Sequence, residues 1–239
     1  MIPSFQTVLD ESVAALHREL GENLSSCCVY GSAVRGNAIE AVSDLNLLII
    51  LNQSTTQAHE AIERAIGDKD KIDPFILGKR GFERSVRAFA TKFASIRRNY
   101  RVVYGQDPLA GLSIDKKLEK FLCEQAIRNL RLRLIYSFVT RKNHNHYDLF
   151  IKRNVTTVFV QFSEALRLEG IAVPIAFEAR IGILEKEMKI DGQVLRDLLA
   201  LKKAANRLSA KEATGWHERL FPQVDAALAW IEAHWPNQL

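Results

Sequence analysis

The run Leu45-Asn46-Leu47-Leu48-Ile49-Ile50-Leu51 sets the tightest limit on what this chain can fold into. A strand with one wet face alternates polar and apolar residues, so an almost unbroken aliphatic run is a strand buried on both faces. A second short apolar run, Ser26-Cys27-Cys28-Val29-Tyr30, stops at Gly31. Two core strands therefore flank a glycine-containing loop. With 239 residues and 47% hydrophobic side chains, the chain has ample material to cover them, and disorder is excluded as its working state.

Helical spacing of Val8, Val13, Leu16 and Leu20, followed by Gly21, predicts a first helix over 5–20. A second helix is predicted over 55–67. The segments 72–77 and 89–104 contain β-favouring residues, and Pro74 confines its strand to an edge or bulge. Turn formers gather between Gly105 and Gly111, the best connector in the chain. Beyond it helical periodicity takes over, at 114–142, 147–170, 174–188, 192–208 and 210–235, with breaks expected at Gly170, Asp191-Gly192 and Pro222. The fold class is α+β: a mixed sheet with helices over 1–108, then an all-α helical bundle over 109–239.

A net charge of +5 favours phosphate-bearing partners; nucleic acid is compatible with it but not required. Cys27, Cys28 and Cys123 lack the paired spacing of a zinc site and read as buried thiols, which fits a reducing, cytoplasmic setting. The N-terminal residues do not form a secretory signal, and no segment reaches the ~18 apolar residues of a membrane helix, so no membrane partner is expected.

The chemistry concentrates in Val29-Tyr30-Gly31-Ser32-Ala33-Val34-Arg35-Gly36 and Ser43-Asp44-Leu45-Asn46. A Gly-Ser turn after a strand leaves backbone N–H groups and a hydroxyl for phosphate, because Gly31 has no Cβ to block close approach. Asp44 and Asn46 share one side of a strand entrance, where they can hold Mg²⁺ bridging phosphates. Arg35 follows the turn and is placed to neutralise a triphosphate.

These residues resemble the DNA polymerase beta-like nucleotidyltransferases. The shared motif is an apolar strand, Gly-Ser or Gly-Gly, a spacer, then Asp-apolar-Asp/Glu-apolar, matched here from Val29 to Ile50, with a looser echo at Val102-Val103-Tyr104-Gly105. The resemblance implies a small mixed sheet and transfer of a nucleoside monophosphate from a nucleoside triphosphate to a hydroxyl or phosphate acceptor, with Mg²⁺, or Mn²⁺ in its place. It assigns nucleotide binding to Gly31, Ser32 and Arg35, and metal binding to Asp44 and Asn46. Asn46 stands where the family carries its second carboxylate, which removes a negative ligand. The family's third carboxylate lies on a later strand. Segment 72–77 would supply Asp73; segment 89–96 has only Thr91, Lys92 and Ser95 to offer. Asp44 and Asp73 are the catalytic candidates.

Two other functions stay open. One is a catalytically silent nucleotide-binding or protein-interaction module that keeps the fold without the full acid set. The other is a ribonuclease, since Arg141 and His146 match the Arg-x₄-His spacing of HEPN ribonucleases, although 141–146 reads more simply as a polar loop. Lys79, Arg80, Arg84, Arg87, Lys92, Arg97, Arg98 and Arg101 form a basic stretch that suits either a solvated face or phosphate contacts.

Overall fold

In the computed structural model, which describes residues 3–35, 44–144, 146–204 and 207–236, the aliphatic run becomes an inner strand of a four-stranded mixed sheet. Helix α1 (Pro3–Leu20) leads through a 3-10 turn (Gly21–Asn23) into β1 (Leu24–Tyr30), followed by the one-turn helix α2 (Ser32–Arg35) and β2 (Leu45–Leu51). Then come α3 (Thr56–Ile66), β3 (Ile72–Gly78), α4 (Lys79–Ala88), α5 (Ala90–Arg98) and β4 (Tyr100–Gly105). The strand order is β3-β2-β1-β4, with β1 antiparallel to β2 and β4, and β2 parallel to β3.

Burial on both faces explains the aliphatic run. Cys27, Val29, Leu45, Leu47, Ile49 and Leu51 pack on one side against α1 and α3, through Leu9, Leu16, Ile62 and Ile66 among others. Cys28, Tyr30, Leu48 and Ile50 pack on the other against Phe82 and Val86 of α4 and Phe93 and Ile96 of α5. Pro74 sits on β3, an edge strand, the place in a sheet where a residue without an N–H is tolerated. Burial pushes the Cys27 thiol up to about 12, with Cys28 beside it adding to the shift.

Segment 89–96 is not a strand. It is most of α5, because Ala90, Phe93, Ala94 and Ile96 recur near helical spacing and bury one face against the sheet. The strand that follows is β4, shorter than the 89–104 expectation.

Gly105 closes β4 with φ +73°, and a Cβ there would meet the Ser25 carbonyl oxygen at 2.2 Å. Gly105→Ala is therefore expected to destabilise the sheet by about 2 kcal/mol, from left-handed strain plus a backbone overlap. Hydrogen exchange at β1 and β4 amides checks this; unchanged protection would mean that the strand end relaxes at no cost.

The chain divides into two compact units, Met1–Asp115 and Lys116–Leu239. Leu109, Leu112 and Ile114 pack with the α4–α5 side of the sheet, so the stretch after Gly105 belongs to the first core. The second unit is all helical: α6 (Lys116–Val139), α7 (Arg141–His144), α8 (Tyr147–Leu168), α9 (Phe177–Met188), α10 (Gly192–Lys203) and α11 (Ala210–His234). Phe159, Phe162, Leu184, Leu198, Val224 and Ile231 are among its core side chains. The break expected at Pro222 does not occur. Helix α11 runs through it, because Leu220 before the proline and Val224, Ala227 and Ile231 after it bury into one core, which outweighs the lost hydrogen bond. No described helix is long and apolar enough to cross a membrane.

Candidate functional site

The predicted residues converge where β1 ends and where β2 and β3 begin. Gly31 takes φ +83°, a conformation that glycine reaches without strain. Its N–H donates to the Asn99 carbonyl at 3.1 Å, tying the turn to the α5–β4 corner. That amide is thus committed within the protein, which departs from a cradle in which it is free for phosphate. Helix α2 opens at Ser32 and ends at Arg35. The side chains of Ser32 and Arg35, and all of residues 36–43, lie outside the described part of the structure.

Asp44 is exposed and immediately precedes β2. The Leu45 N–H donates to the Lys71 carbonyl at 2.7 Å, fastening the start of β2 beside the start of β3. Asn46 Nδ2 donates to the Asp44 carbonyl at 3.3 Å and would lie 3.4 Å from a Cβ placed on Gly31. The Asn46 amide therefore lies over the turn. The parallel register sets Asn46 opposite Asp73, and the antiparallel register sets it opposite Tyr30, which in turn faces Tyr100. One transverse row, Asp73, Asn46, Tyr30 and Tyr100, crosses the sheet at the ~4.8 Å spacing of hydrogen-bonded strands. Of the two segments considered for a later acid, it is 72–77 that forms the strand beside β2.

Charge and burial differ along this row. Asp73 is exposed, whereas Tyr30 is buried and its phenol is pushed up to about 12, by burial first and by Asp73 second. Tyr30 thus remains a neutral hydrogen-bond donor at neutral pH. Tyr100 is also raised, chiefly because its hydroxyl donates to Asp107 Oδ2 at 2.7 Å. Lys92, assigned from the sequence to a strand, sits on α5 with its Nζ 4.0 Å from the centre of the Phe75 ring. Phe75 lies two residues beyond Asp73 on β3 and shares its face of the sheet. Nothing in the spacing of the sequence distinguished Tyr30 or Lys92 from core and surface residues.

The donor set can be tested against a divalent cation. Among the described residues, no three His, Cys, Asp or Glu side chains cluster closely enough to hold an ion unaided. Mg²⁺, however, is commonly held by one or two carboxylates completed by substrate phosphates. Asp44, Asp73 and Asn46 are the residues that could hold a cation arriving with a triphosphate.

The basic stretch is spread over α4, α5 and β4, and part of it is used internally. Arg97 donates to the Leu112 carbonyl, and Arg101 to Gln6 Oε1 at 3.0 Å. Segment 141–146, expected as a loop, contains the one-turn helix α7 and the residue that opens α8. Arg141 and His146 line one cavity.

No protein-family model matches the sequence, and no curated relative matches it. Among solved structures, the chain is similar to the spectinomycin adenyltransferase AAD(9) from Enterococcus faecialis with ATP and spectinomycin. The TM-score is 0.61 at 12% identity, covering 95% of this chain and 99% of that one. At this identity the likeness shows the fold. The chain shares that protein's fold, a four-stranded mixed sheet with helices followed by a helical region.

Proposed function

We propose that the protein transfers a nucleoside monophosphate from a nucleoside triphosphate to the hydroxyl of a small acceptor. One observation carries the reading: Asp73 stands in register with Asn46, beside Asp44 and the Gly31 turn, in a fold matched along nearly the whole chain. The acceptor oxygen attacks the α-phosphorus, the bond to the bridging oxygen breaks, and pyrophosphate leaves with the electron pair. The acceptor's proton passes to the Asp73 carboxylate. Asp44 and Asn46 would hold Mg²⁺ or Mn²⁺, which when bound with the nucleotide neutralises charge on the phosphates. Tyr30, kept neutral by burial and in register with Asn46, would be available to donate a hydrogen bond there. Because the similar adenyltransferase carries ATP and spectinomycin in its description, ATP and hydroxyl-bearing small molecules are the substrates to try first.

A second reading, a binding module without turnover, draws on two observations: Asn46 stands in a carboxylate position, and the Gly31 amide is already bonded. Titrating Asp44→Ala with ATP, with and without Mg²⁺, tests the site itself. The expected result is at least a tenfold loss of Mg²⁺-dependent affinity, corresponding to about 1.4 kcal/mol, with folding unchanged because Asp44 is exposed. Equal affinity in variant and parent would remove Asp44 from the site. Binding by the parent without pyrophosphate release across acceptors would favour the module.

A further inference from the structure

The helical unit holds a cavity of about 630 Å³, within the range of small-molecule sites, at the end of α6, along α7 and at the start of α8. Arg133, Arg141 and Arg153 reach it from these three helices, and His146 joins them where α8 opens. Among the described residues, no Asp or Glu lines it.

The contrast with neighbouring arginines is informative. Arg128 pairs with Glu124 and Glu232, Arg131 with Asp225, Arg207 with Asp148, and Arg219 with Asp197. Among the described residues, Arg133, Arg141 and Arg153 make no ion pair. Arg141 instead lies over the Phe138 ring at 3.7 Å and donates to the Phe138 carbonyl at 2.7 Å, while Arg133 lies 5.4 Å from the centre of the Phe150 ring. Ring contacts orient a guanidinium without neutralising it, so its charge and remaining N–H donors stay available. Three like charges around one concavity repel one another, and an anion that bridges them relieves that repulsion. Tyr136 and Phe150 add flat apolar surface to the same wall.

We infer that this cavity binds the phosphate of a small phosphorylated molecule carrying a flat ring, with the arginines on the phosphate and the aromatic wall against the ring. This inference does not depend on nucleotide transfer in the first unit. The test is calorimetric titration of the full chain in EDTA, which withholds the divalent cation that the Asp44 site would need, using adenosine monophosphate, inorganic phosphate and adenosine. Adenosine monophosphate should bind saturably, adenosine at least tenfold more weakly, and inorganic phosphate measurably. Arg141→Gln combined with Arg153→Gln should weaken adenosine monophosphate at least tenfold, and Asp44→Ala should leave it unchanged. If the double variant loses its helical circular dichroism, Arg153→Gln alone, at an exposed position, replaces it with at least a threefold loss expected. The inference is overturned if the parent shows no saturable binding, if adenosine binds equally well, or if the arginine variants bind like the parent. It is also overturned, with the first site then supported, if Asp44→Ala abolishes the binding.

Discussion

Asp73→Asn is expected to cut pyrophosphate release from ATP, measured across hydroxyl acceptors including water, by about 100- to 10,000-fold, the usual worth of a positioned general base. Nucleotide affinity in Mg²⁺ should fall far less than turnover, by about tenfold at most, because the amide keeps an oxygen at the same place in the register but loses its negative charge toward the cation. The exposed position of Asp73 on an edge strand makes a large folding effect unexpected, within about 0.5 kcal/mol for an ordinary surface substitution. Removing the charge has a second consequence. Asp73 is one of two causes that hold the Tyr30 phenol up near 12, so the spectroscopic titration of Tyr30 should move down in the variant. Burial, the larger cause, remains, and the titration stays above the ordinary tyrosine range. If turnover falls while the Tyr30 titration does not move, Asp73 acts from somewhere other than beside Tyr30. If turnover is unaffected, the acid only caps the start of β3 and the base assignment is wrong.

How far the sequence foretold this arrangement depends on which interaction fixes each element. The inner strands were legible because burial on both faces leaves an aliphatic run that little else produces, as at Leu45–Leu51. Pro74 likewise announced an edge, since a residue without an N–H is excluded from the middle of a sheet. The 89–96 segment misled because Phe89, Thr91, Phe93 and Ile96 favour strands one by one. The winning signal was the helical spacing of Ala90, Phe93 and Ala94, which buries one face under the sheet. Pro222 misled for the opposite reason: a local breaker was overridden by burial on both sides of it. The placement of Asp73 opposite Asn46 could not be read from the sequence at all. Register between strands that are distant in the chain is set by how their faces bury, and a one-residue slip would have turned Asp73 to the α1–α3 side.

Asn46→Asp probes that placement most directly. The substitution restores a negative ligand at nearly constant size and is expected to tighten Mg²⁺-ATP by tenfold to about a hundredfold, the latter corresponding to about 2.7 kcal/mol. A unit charge about 4 Å from a cation interacts by roughly 4 kcal/mol at an effective dielectric of 20, and desolvation of the new carboxylate removes part of that. The local structure adds two costs. Asn46 Nδ2 now donates to the Asp44 carbonyl, and a carboxylate cannot. The new charge also faces Asp73 across the strand pair, with Asp44 two residues away, so the cation-free protein gains like-charge repulsion. Both costs fall on the empty site and are relieved when a cation binds, so they increase the response to metal while lowering stability without it. The expected pattern is a lower melting temperature in EDTA than the parent, a larger rise on adding Mg²⁺ with ATP, and tighter binding by calorimetry. Pyrophosphate release should rise with it if Asp73 serves as the base; tighter binding without turnover would assign the parent to the silent class. Weaker binding together with the lower melting temperature would mean that the Asn46 amide holds the turn by its bond to Asp44 and takes no part in binding the nucleotide.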